Sequence, residues 1–144
     1  MCGVCKRVES SLAQNNPYFI HEFKHSIFVL GDHQVFKGYS LLLLKNHVRE
    51  LHDMNREDYL ELSDELMVAT NAIVKTFSCY KMNYQSLGNM VEHVHWHLLP
   101  RYRDEKHTGK APWEYYMDPD FKEEEFRTTS EQALSLSSQI KENL

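Results

Sequence analysis

The sequence predicts an α+β fold in which an antiparallel β-sheet packs against one long helix. Short segments with the alternating or apolar composition of strands stand in two groups along the chain. A segment from Asn55 to Phe77 with helical periodicity separates these groups. Because the strands are grouped and do not alternate with helices, their order indicates antiparallel pairing and argues against a doubly wound parallel sheet.

Three strands are predicted before the long helix. Segments 19–23 and 26–30 are short and rich in β-branched and aromatic residues. The run from Tyr39 to Leu44 has the composition of a buried central strand. It is too short for a buried helix, and a glycine precedes it while polar residues follow it.

The long helix is predicted to begin after an N-cap at Asn55 and to end near Phe77. Its apolar residues recur at steps of three and four, which is the pattern of a helix with one apolar stripe. The stripe consists of Tyr59, Leu62, Leu66, Ala69, Ile73 and Phe77.

Two further strands are predicted after the helix. Segment 80–85 alternates, with Asn83 and Gln85 on its polar side. Segment 91–99 alternates as well and ends before a proline. The chain beyond residue 101 is polar, and a last helix is predicted to start at Thr129 or Ser130.

Length and composition predict one domain, residues 1–144, and exclude several classes of partner. The net charge of −5 provides no basic field for duplex nucleic acid or for an anionic membrane. The longest aliphatic run is four residues, Leu41 to Leu44, whereas a membrane helix needs about 20. No apolar signal segment is found at the N-terminus, so we expect a cytoplasmic protein.

Cysteine usage leaves more than one interpretation open. Cys2 and Cys5 form a C-x-x-C motif, and Cys79 stands alone and is expected to be a small buried residue. A structural disulfide is not expected in a cytoplasmic protein. The motif is then half of a metal site, a redox pair or two incidental thiols, and a thioredoxin-like redox pair would follow a strand and open a helix.

Three alternating histidines are the most informative feature of the chain. His93, His95 and His97 project from one face of the predicted strand, roughly 6.5–7 Å apart, because side chains alternate along a strand. The residues between them are apolar and suit a core. Pairing with the preceding strand would bring the amides of Asn83 and Gln85 near the imidazoles.

Three interpretations of this pattern follow from chemistry alone. The first is a solvent-exposed, histidine-rich edge, although strict alternation with apolar residues is not typical of one. The second is metal binding, because histidines two apart on a strand are good zinc ligands. The third is catalysis, since an imidazole held in the right tautomer can transfer protons and attack phosphorus near neutral pH.

The segment from His93 to Arg101, H-x-H-x-H followed by Leu-Leu-Pro-Arg, resembles the histidine triad (HIT) superfamily of nucleotide hydrolases and transferases. Residues 37–48 resemble the strand and the K-x-H segment of that family, and Asn83 with segment 88–93 resembles the block that precedes its triad. Many bacterial members also carry an N-terminal C-x-x-C. The resemblance covers about residues 1–101 and leaves 102–144 as a C-terminal tail with a helix.

The resemblance implies a HIT-like fold, a homodimer and a reaction at the α-phosphate of a nucleotide. The substrates would be dinucleoside polyphosphates or nucleoside phosphoramidates, and the intermediate would be a nucleotidyl-histidine on His95. His97 would contact the phosphate and assist proton transfer to the leaving group. Asn83 and Asn89 would hold phosphate oxygens, and no catalytic cofactor would be needed.

The resemblance also implies a structural zinc ion. In members with the N-terminal C-x-x-C, two cysteines, the histidine of K-x-H and the first triad histidine hold Zn²⁺. The corresponding residues are Cys2, Cys5, His47 and His93. Such a Cys₂His₂ set is a closed tetrahedral site.

The sequence departs from the family pattern at two positions. Many members have a histidine after the glycine that begins the central strand, and Tyr39 stands there. Many also have an aspartate that binds the ribose hydroxyls, where this chain has Gly31 with Asp32 adjacent. Asp32 would then replace that aspartate after a shift of one residue, or act only as a turn residue.

Two other functions remain open at this point. One is a metal-dependent hydrolase in which the triad itself binds zinc, and the other is a nucleotide-binding module with little turnover. The remaining histidines are expected at the surface rather than in a site; they are His21, His25, His33, His52 and His107. Trp113, Tyr115 and Tyr116 are expected to pack the tail.

Overall fold

A computed structural model describes residues 2–144. It contains four helices and five strands, with short 3₁₀ turns at residues 51–53 and 123–126. The helices are α1 (Gly3–Leu12), α2 (Arg56–Phe77), α3 (Trp113–Tyr116) and α4 (Ser130–Lys141). The strands are β1 (Phe19–Glu22), β2 (Ser26–Leu30), β3 (Ser40–Leu44), β4 (Lys81–Gln85) and β5 (His95–Arg101).

The five strands form one antiparallel sheet in the order β1-β2-β3-β5-β4. The predicted α+β fold is therefore confirmed. The strand with two of the triad histidines lies between β3 and the edge strand β4. The long connection through α2 joins β3 to β4, which leaves room for β5 to insert beside β3.

The two faces of the sheet have different roles. One face is apolar and packs against α2 and α4, and Phe28, Leu42 and Leu98 are at most 1% exposed there. The other face is covered by α1 only over β2 and β3, where Val8 contacts the cluster that contains Ile27. The β5 and β4 part of this second face carries the polar side chains of the candidate site.

Helix α2 begins and ends as the sequence predicts. The Asn55 side chain accepts a hydrogen bond from the Asp58 backbone N–H, which caps the first turn. The buried face of α2 is rotated slightly from the predicted stripe: Tyr59 is 40% exposed, and Glu65 is buried. Glu65 is tolerated there since it accepts hydrogen bonds from the Ser26 hydroxyl and the His25 backbone N–H.

The start of β5 is the main correction to the predicted strands. The strand was expected from residue 91, but it begins at His95 and continues through Pro100 to Arg101. Val94 instead donates its backbone N–H to the Val48 carbonyl, in the loop that follows β3. Pro100 is tolerated because β3 pairs with β5 only as far as Leu98, so no partner on that side needs an N–H.

The N-terminal helix α1 was not predicted. Cys2 is its N-cap residue and Cys5 lies in its first turn, so the C-x-x-C motif opens a helix. The spacing of three residues places both cysteines on one side of the helix. Val4 and Val8 anchor that helix on the sheet.

The C-terminal tail packs against the sheet at two places. Helix α4 begins with the predicted Thr129 cap, in a capping box with Gln132, and Ala133 and Ile140 join the main core. Tyr115 of α3, which the sequence did not predict as a helix, packs with Phe36 and Tyr39 beside the triad. No helix within residues 2–144 has the length and apolar composition needed to cross a bilayer.

Candidate active site and metal centre

The strand register brings the amides to the imidazoles. Gln85 of β4 lies opposite His97 of β5, and Asn83 lies opposite Leu99. Residues that face each other across two antiparallel strands project from the same side of the sheet. The predicted cluster of amides and imidazoles therefore forms on the face that α1 leaves open.

His95 is partly exposed and has a defined tautomer. Its Nδ1–H donates to the His93 backbone carbonyl, with 2.6 Å between the nitrogen and the oxygen. The proton is then on Nδ1, and the lone pair is on Nε2. An imidazole in this state presents a free nucleophilic nitrogen, and the backbone carbonyl stabilises the charge that builds on the ring during attack.

His97 is neutral and held by a tyrosine. Burial, with smaller contributions from the neighbouring His95 and His33, lowers the pKa of His97 to about 4. The hydroxyl of Tyr39 lies 2.7 Å from Nδ1 of His97, and the two rings are almost parallel. His97 is therefore an uncharged imidazole at neutral pH, with its ring oriented by Tyr39.

The low pKa of His97 predicts how stability changes with pH. The unfolded chain binds a proton at this histidine below about pH 6.5, whereas the folded chain binds it only near pH 4, so stability decreases as the pH is lowered through this interval. The loss amounts to roughly 3 kcal/mol for His97 alone. We expect urea unfolding of His97→Gln to lose much of this pH dependence, while the exposed His52→Gln keeps it; equal slopes for wild type and His97→Gln would contradict the prediction.

Asn83 is oriented by a buried arginine. Nη1 of Arg101 donates to Oδ1 of Asn83 over 2.7 Å, and Arg101 is 3% exposed. The guanidinium is paired with Glu105 and lies over the Phe36 ring. Because Oδ1 accepts from Arg101, the amide of Asn83 is oriented and its N–H donors are available to a ligand, which suits an anionic one.

Asn89 lies apart from this network. It is exposed in the loop between β4 and β5, and its side chain has no hydrogen-bond partner within residues 2–144. The left-handed backbone of this turn is at Gly88, with φ +69°, and not at Asn89. A role for Asn89 as a positive-φ turn residue is therefore excluded, and its amide is free to meet a ligand.

The four predicted metal ligands converge at the other end of β5. Their donor atoms, from Cys2, Cys5, His47 and His93, all lie within 4.8 Å of one another. Sγ of Cys2 and Sγ of Cys5 are each 3.5 Å from Nδ1 of His93, and Sγ of Cys5 is 3.4 Å from Nδ1 of His47. A tetrahedral zinc with ordinary Zn–S and Zn–N bonds requires S···N separations of roughly 3.6 Å, so the donor set fits the ion.

The tautomer of His93 also fits a metal ligand. His93 is fully buried, and its Nε2–H donates to the Leu44 carbonyl over 2.7 Å. This bond leaves the lone pair on Nδ1, which faces the two sulfur atoms. A second partner that fixes the ligating nitrogen in this way is typical of protein zinc sites.

The three triad imidazoles do not converge on one point. His93 faces the cysteines, His95 donates to a backbone carbonyl, and His97 contacts Tyr39. No group of potential metal ligands in residues 2–144 includes His95 or His97. The hydrolase that would use the whole triad as a zinc site has no support in this geometry.

The two departures from the family pattern meet in space. A Cβ atom at Gly31 would overlap the ring of Tyr39, coming within 3.0 Å of Cγ and closer to two other ring carbons. Asp32 is ion-paired with Arg7 of α1, so it is more than a turn residue. That pairing occupies the one carboxylate that the sequence offers in place of the ribose-binding aspartate.

Three histidines expected at the surface are mostly buried. The side chains of His25, His33 and His107 are 13–16% exposed, and each pairs with a carboxylate. The ring of His33 stacks on that of Tyr39, with 5.1 Å between centroids. Sequence patterning missed these contacts because they join polar segments without periodicity, whereas His52, which is 82% exposed, follows the prediction.

Comparison with known proteins supports the family resemblance. A family model described as a HIT domain matches residues 13–104. The adenosine 5'-monophosphoramidase HNT1 of Saccharomyces cerevisiae is 30% identical over 108 residues, which is 73% of this chain and 65% of the yeast protein. The chain thus spans slightly less than two thirds of the length of that relative.

Solved structures share the fold. A histidine triad protein from Marinobacter aquaeolei superposes with a TM-score of 0.76 at 21% identity, covering 100% of this chain and 96% of the other. A zinc-bound histidine triad family protein from Mycobacterium smegmatis superposes with a TM-score of 0.63 at 19% identity, covering 99% and 97%. At these identities the likeness concerns the fold alone.

Proposed function

The chain belongs to the HIT domain family, and from this premise we propose that it hydrolyses or transfers nucleotides by reaction at their α-phosphate. The observation that carries the proposal is the tautomer of His95, whose Nδ1–H donates to the His93 carbonyl and leaves Nε2 free. His97 and, opposite Leu99 further along the same face, the amide of Asn83 supply neutral groups beside it. A yeast relative named as an adenosine 5'-monophosphoramidase supports the nucleotide substrate class.

The reaction proceeds in two displacements. Nε2 of His95 donates its lone pair to the α-phosphorus, and the bond from phosphorus to the leaving group breaks. The leaving group departs with that electron pair and takes up a proton, a transfer that His97 assists. The product is a nucleotide bound through phosphorus to His95. A water molecule, or another acceptor hydroxyl, then attacks the same phosphorus and loses its proton to the solvent. The bond from phosphorus to Nε2 breaks, which releases the nucleotide and returns the neutral imidazole.

The surrounding residues bind and orient the phosphate. Nδ2 of Asn83 donates to a phosphate oxygen, because Arg101 already holds the amide oxygen. His97 contacts the phosphate from the next position on the same face of β5. Asn89 reaches the phosphate from the loop that precedes the triad.

Asn89 gives a testable consequence of this arrangement. Negative charge grows on the phosphate oxygens as His95 attacks, so loss of one amide donor affects the transition state more than substrate binding. We expect Asn89→Ala to lower kcat by roughly 10²-fold and to raise KM by less. Steady-state kinetics measure both effects.

Two further variants separate the amide from the loop. Asn89→Gly should lose as much activity as Asn89→Ala, because both lack the amide. Met90→Ala, which changes the adjacent and almost fully exposed residue, should keep wild-type kinetics. Wild-type turnover by Asn89→Gly would show that Asn89 has no catalytic role.

Two substrate classes are proposed, and they differ in how strongly they are supported. Adenosine phosphoramidates are the first candidates, because a relative acts on a substrate of that kind by its name. Dinucleoside polyphosphates, including diadenosine tetraphosphate, are the second. Parallel assays of adenosine 5'-phosphoramidate and diadenosine tetraphosphate distinguish the two, and turnover of neither would contradict the proposed function.

A nucleotide-binding module with little turnover is the second candidate function. The observation that favours it is Tyr39, which stands where many family members have a histidine and whose hydroxyl contacts Nδ1 of His97. Binding of AMP without turnover of any nucleotide would establish it. The intact tautomer of His95 favours catalysis over this alternative.

We propose that Cys2, Cys5, His47 and His93 hold a structural zinc ion. The donor spacing described above and a zinc-bound member of the same fold support this assignment. The ion would tie α1 to the sheet and fix His93, whose carbonyl orients the His95 imidazole. Its role in the reaction is thus indirect.

We also propose a cytoplasmic homodimer in which residues 1–144 act as one domain, with no nucleic acid or membrane partner. Exposed apolar side chains support the dimer, because Met67 of α2 and Tyr84 of the edge strand β4 line a shallow cleft with Trp96. Helix α4 supports the single domain, since Ala133 and Ile140 are part of the main core. The molar mass in solution tests the dimer.

A further inference from the structure

We propose that Tyr39 is a positioning residue for the reaction at His95: its hydroxyl holds His97 in the tautomer and orientation that present Nε2–H, rather than a lone pair, to the phosphate. The inference rests on the proposed function for its catalytic consequence. Its structural part, the tautomer of His97, concerns the free protein. Three features of the site carry it.

The first feature is the single acceptor available to the Tyr39 hydroxyl. Tyr39 is 6% exposed, so its O–H group is shielded from bulk water. Within residues 2–144, the one hydrogen-bond partner of this oxygen is Nδ1 of His97 at 2.7 Å. A buried hydroxyl that fails to donate is costly, so Tyr39 donates and Nδ1 of His97 accepts.

The tautomer follows from that direction. A neutral imidazole has one N–H and one lone pair, and the lone pair of His97 is used at Nδ1. Its proton is therefore on Nε2, at the other side of the ring from Tyr39. His95 carries its proton on the opposite nitrogen, Nδ1. The two neighbouring imidazoles, with centroids 5.0 Å apart, thus present one nucleophile and one donor to the same ligand.

The second feature is the charge state of the pair. Burial raises the pKa of the Tyr39 phenol, with smaller contributions from Tyr116, Asp32 and Glu123. Burial lowers the pKa of His97, and His95 and His33 act in the same direction. Both groups are neutral around pH 7, so the bond joins a phenol to an imidazole. A neutral N–H donor stabilises charge on the phosphoryl oxygens.

The third feature is the fit that fixes the tyrosine ring. The ring lies where any side chain at position 31 would have to be, so Gly31 is required by Tyr39. The Tyr39 ring also stacks on the His33 ring, which pairs through Nε2 with Glu123 over 3.1 Å. Gly31 and Tyr39 therefore form one structural unit, which holds the Tyr39 hydroxyl against Nδ1 of His97.

Tyr39→Phe tests the proposal because it removes the hydroxyl and keeps the ring. We expect kcat to fall by roughly 10- to 100-fold, less than the loss of a donor itself, with KM changed by less than about threefold. Nitrogen NMR of the free protein should show His97 protonated on Nε2, with an Nδ1 resonance that shifts in Tyr39→Phe. Tyr102→Phe is the matched control, because it removes another tyrosine hydroxyl. That hydroxyl donates to the Lys37 backbone carbonyl and not to a residue of the triad.

Gly31→Ala tests the same unit in a second way, because Gly31 meets the Tyr39 ring and the structure gives it no contact with His97. The added Cβ displaces the Tyr39 ring, so kcat should fall and the Nδ1 resonance of His97 should shift as in Tyr39→Phe. In the Tyr39→Phe background the further loss from Gly31→Ala should be small, because the hydroxyl is already absent. Additive losses would contradict a shared mechanism.

The outcomes separate this proposal from the proposed function. Wild-type kcat in a folded Tyr39→Phe protein, or a wild-type His97 protonated on Nδ1, would overturn the proposal even if turnover is confirmed. If the wild type turns over no nucleotide, the proposed function fails, while the tautomer is still decided by NMR. Should Tyr39→Phe fail to fold, the wild-type spectrum and Gly31→Ala decide the question.

Discussion

Replacement of His95 with alanine should reduce turnover by at least about 10³-fold, because no other group can form the covalent intermediate. The imidazole is partly exposed and makes one hydrogen bond, to the His93 carbonyl. Its removal should therefore leave the fold and the affinity for AMP largely intact. Such a result would separate the chemical step from binding.

The decisive measurement is the mass of the intact protein shortly after it is mixed with substrate. The wild type should gain the mass of one nucleotidyl group, and His95→Ala should gain none. His52→Ala is the matched control, because this histidine is 82% exposed and lies outside the site. Normal turnover by His95→Ala, or an adduct on another residue, would end the covalent His95 mechanism.

Much of the sheet could be predicted because its pattern is local. β2 matches its predicted bounds, and the long helix is capped by the predicted Asn55. The predicted start of β5 was wrong because the alternating pattern of residues continues through His93, whereas the backbone there pairs with the loop after β3. Local patterning cannot show which partner a backbone N–H will find.

The candidate site could be predicted only in part for a similar reason. Alternation placed His95 and His97 on one face, and the family resemblance supplied the ligands Cys5 and His47, which are 42 residues apart. The family resemblance marked Tyr39 as a departure, but its contact with His97 spans 58 residues, so the sequence did not show which residue it would meet. The orientation of Asn83 by the buried Arg101 also depends on a contact that local patterning does not show, although Arg101 belongs to the Pro-Arg ending of the motif.

Loss of the proposed zinc ligands should destabilise the protein more than any other single change outside the core. Structural zinc contributes about 10–16 kcal/mol to the folding of small zinc peptides, which have no other core. Here only α1 and the start of β5 depend on the site, so we expect Cys5→Ser or a strong chelator to cost on the order of 5 kcal/mol and to lower Tm by roughly 15 °C.

Cys79→Ser provides the matched control for this experiment. Cys79 is also a free thiol, but it lies beside Met82 and belongs to no group of potential ligands within residues 2–144. Protein purified without added zinc should contain about one zinc per chain in the wild type and in Cys79→Ser, and much less in Cys5→Ser. Turnover should decrease only as far as the His93 carbonyl shifts, because that carbonyl holds the Nδ1 proton of His95. Substoichiometric metal of every kind in the wild type, with a thermal transition unchanged by Cys5→Ser, would show that the four residues form no structural metal site.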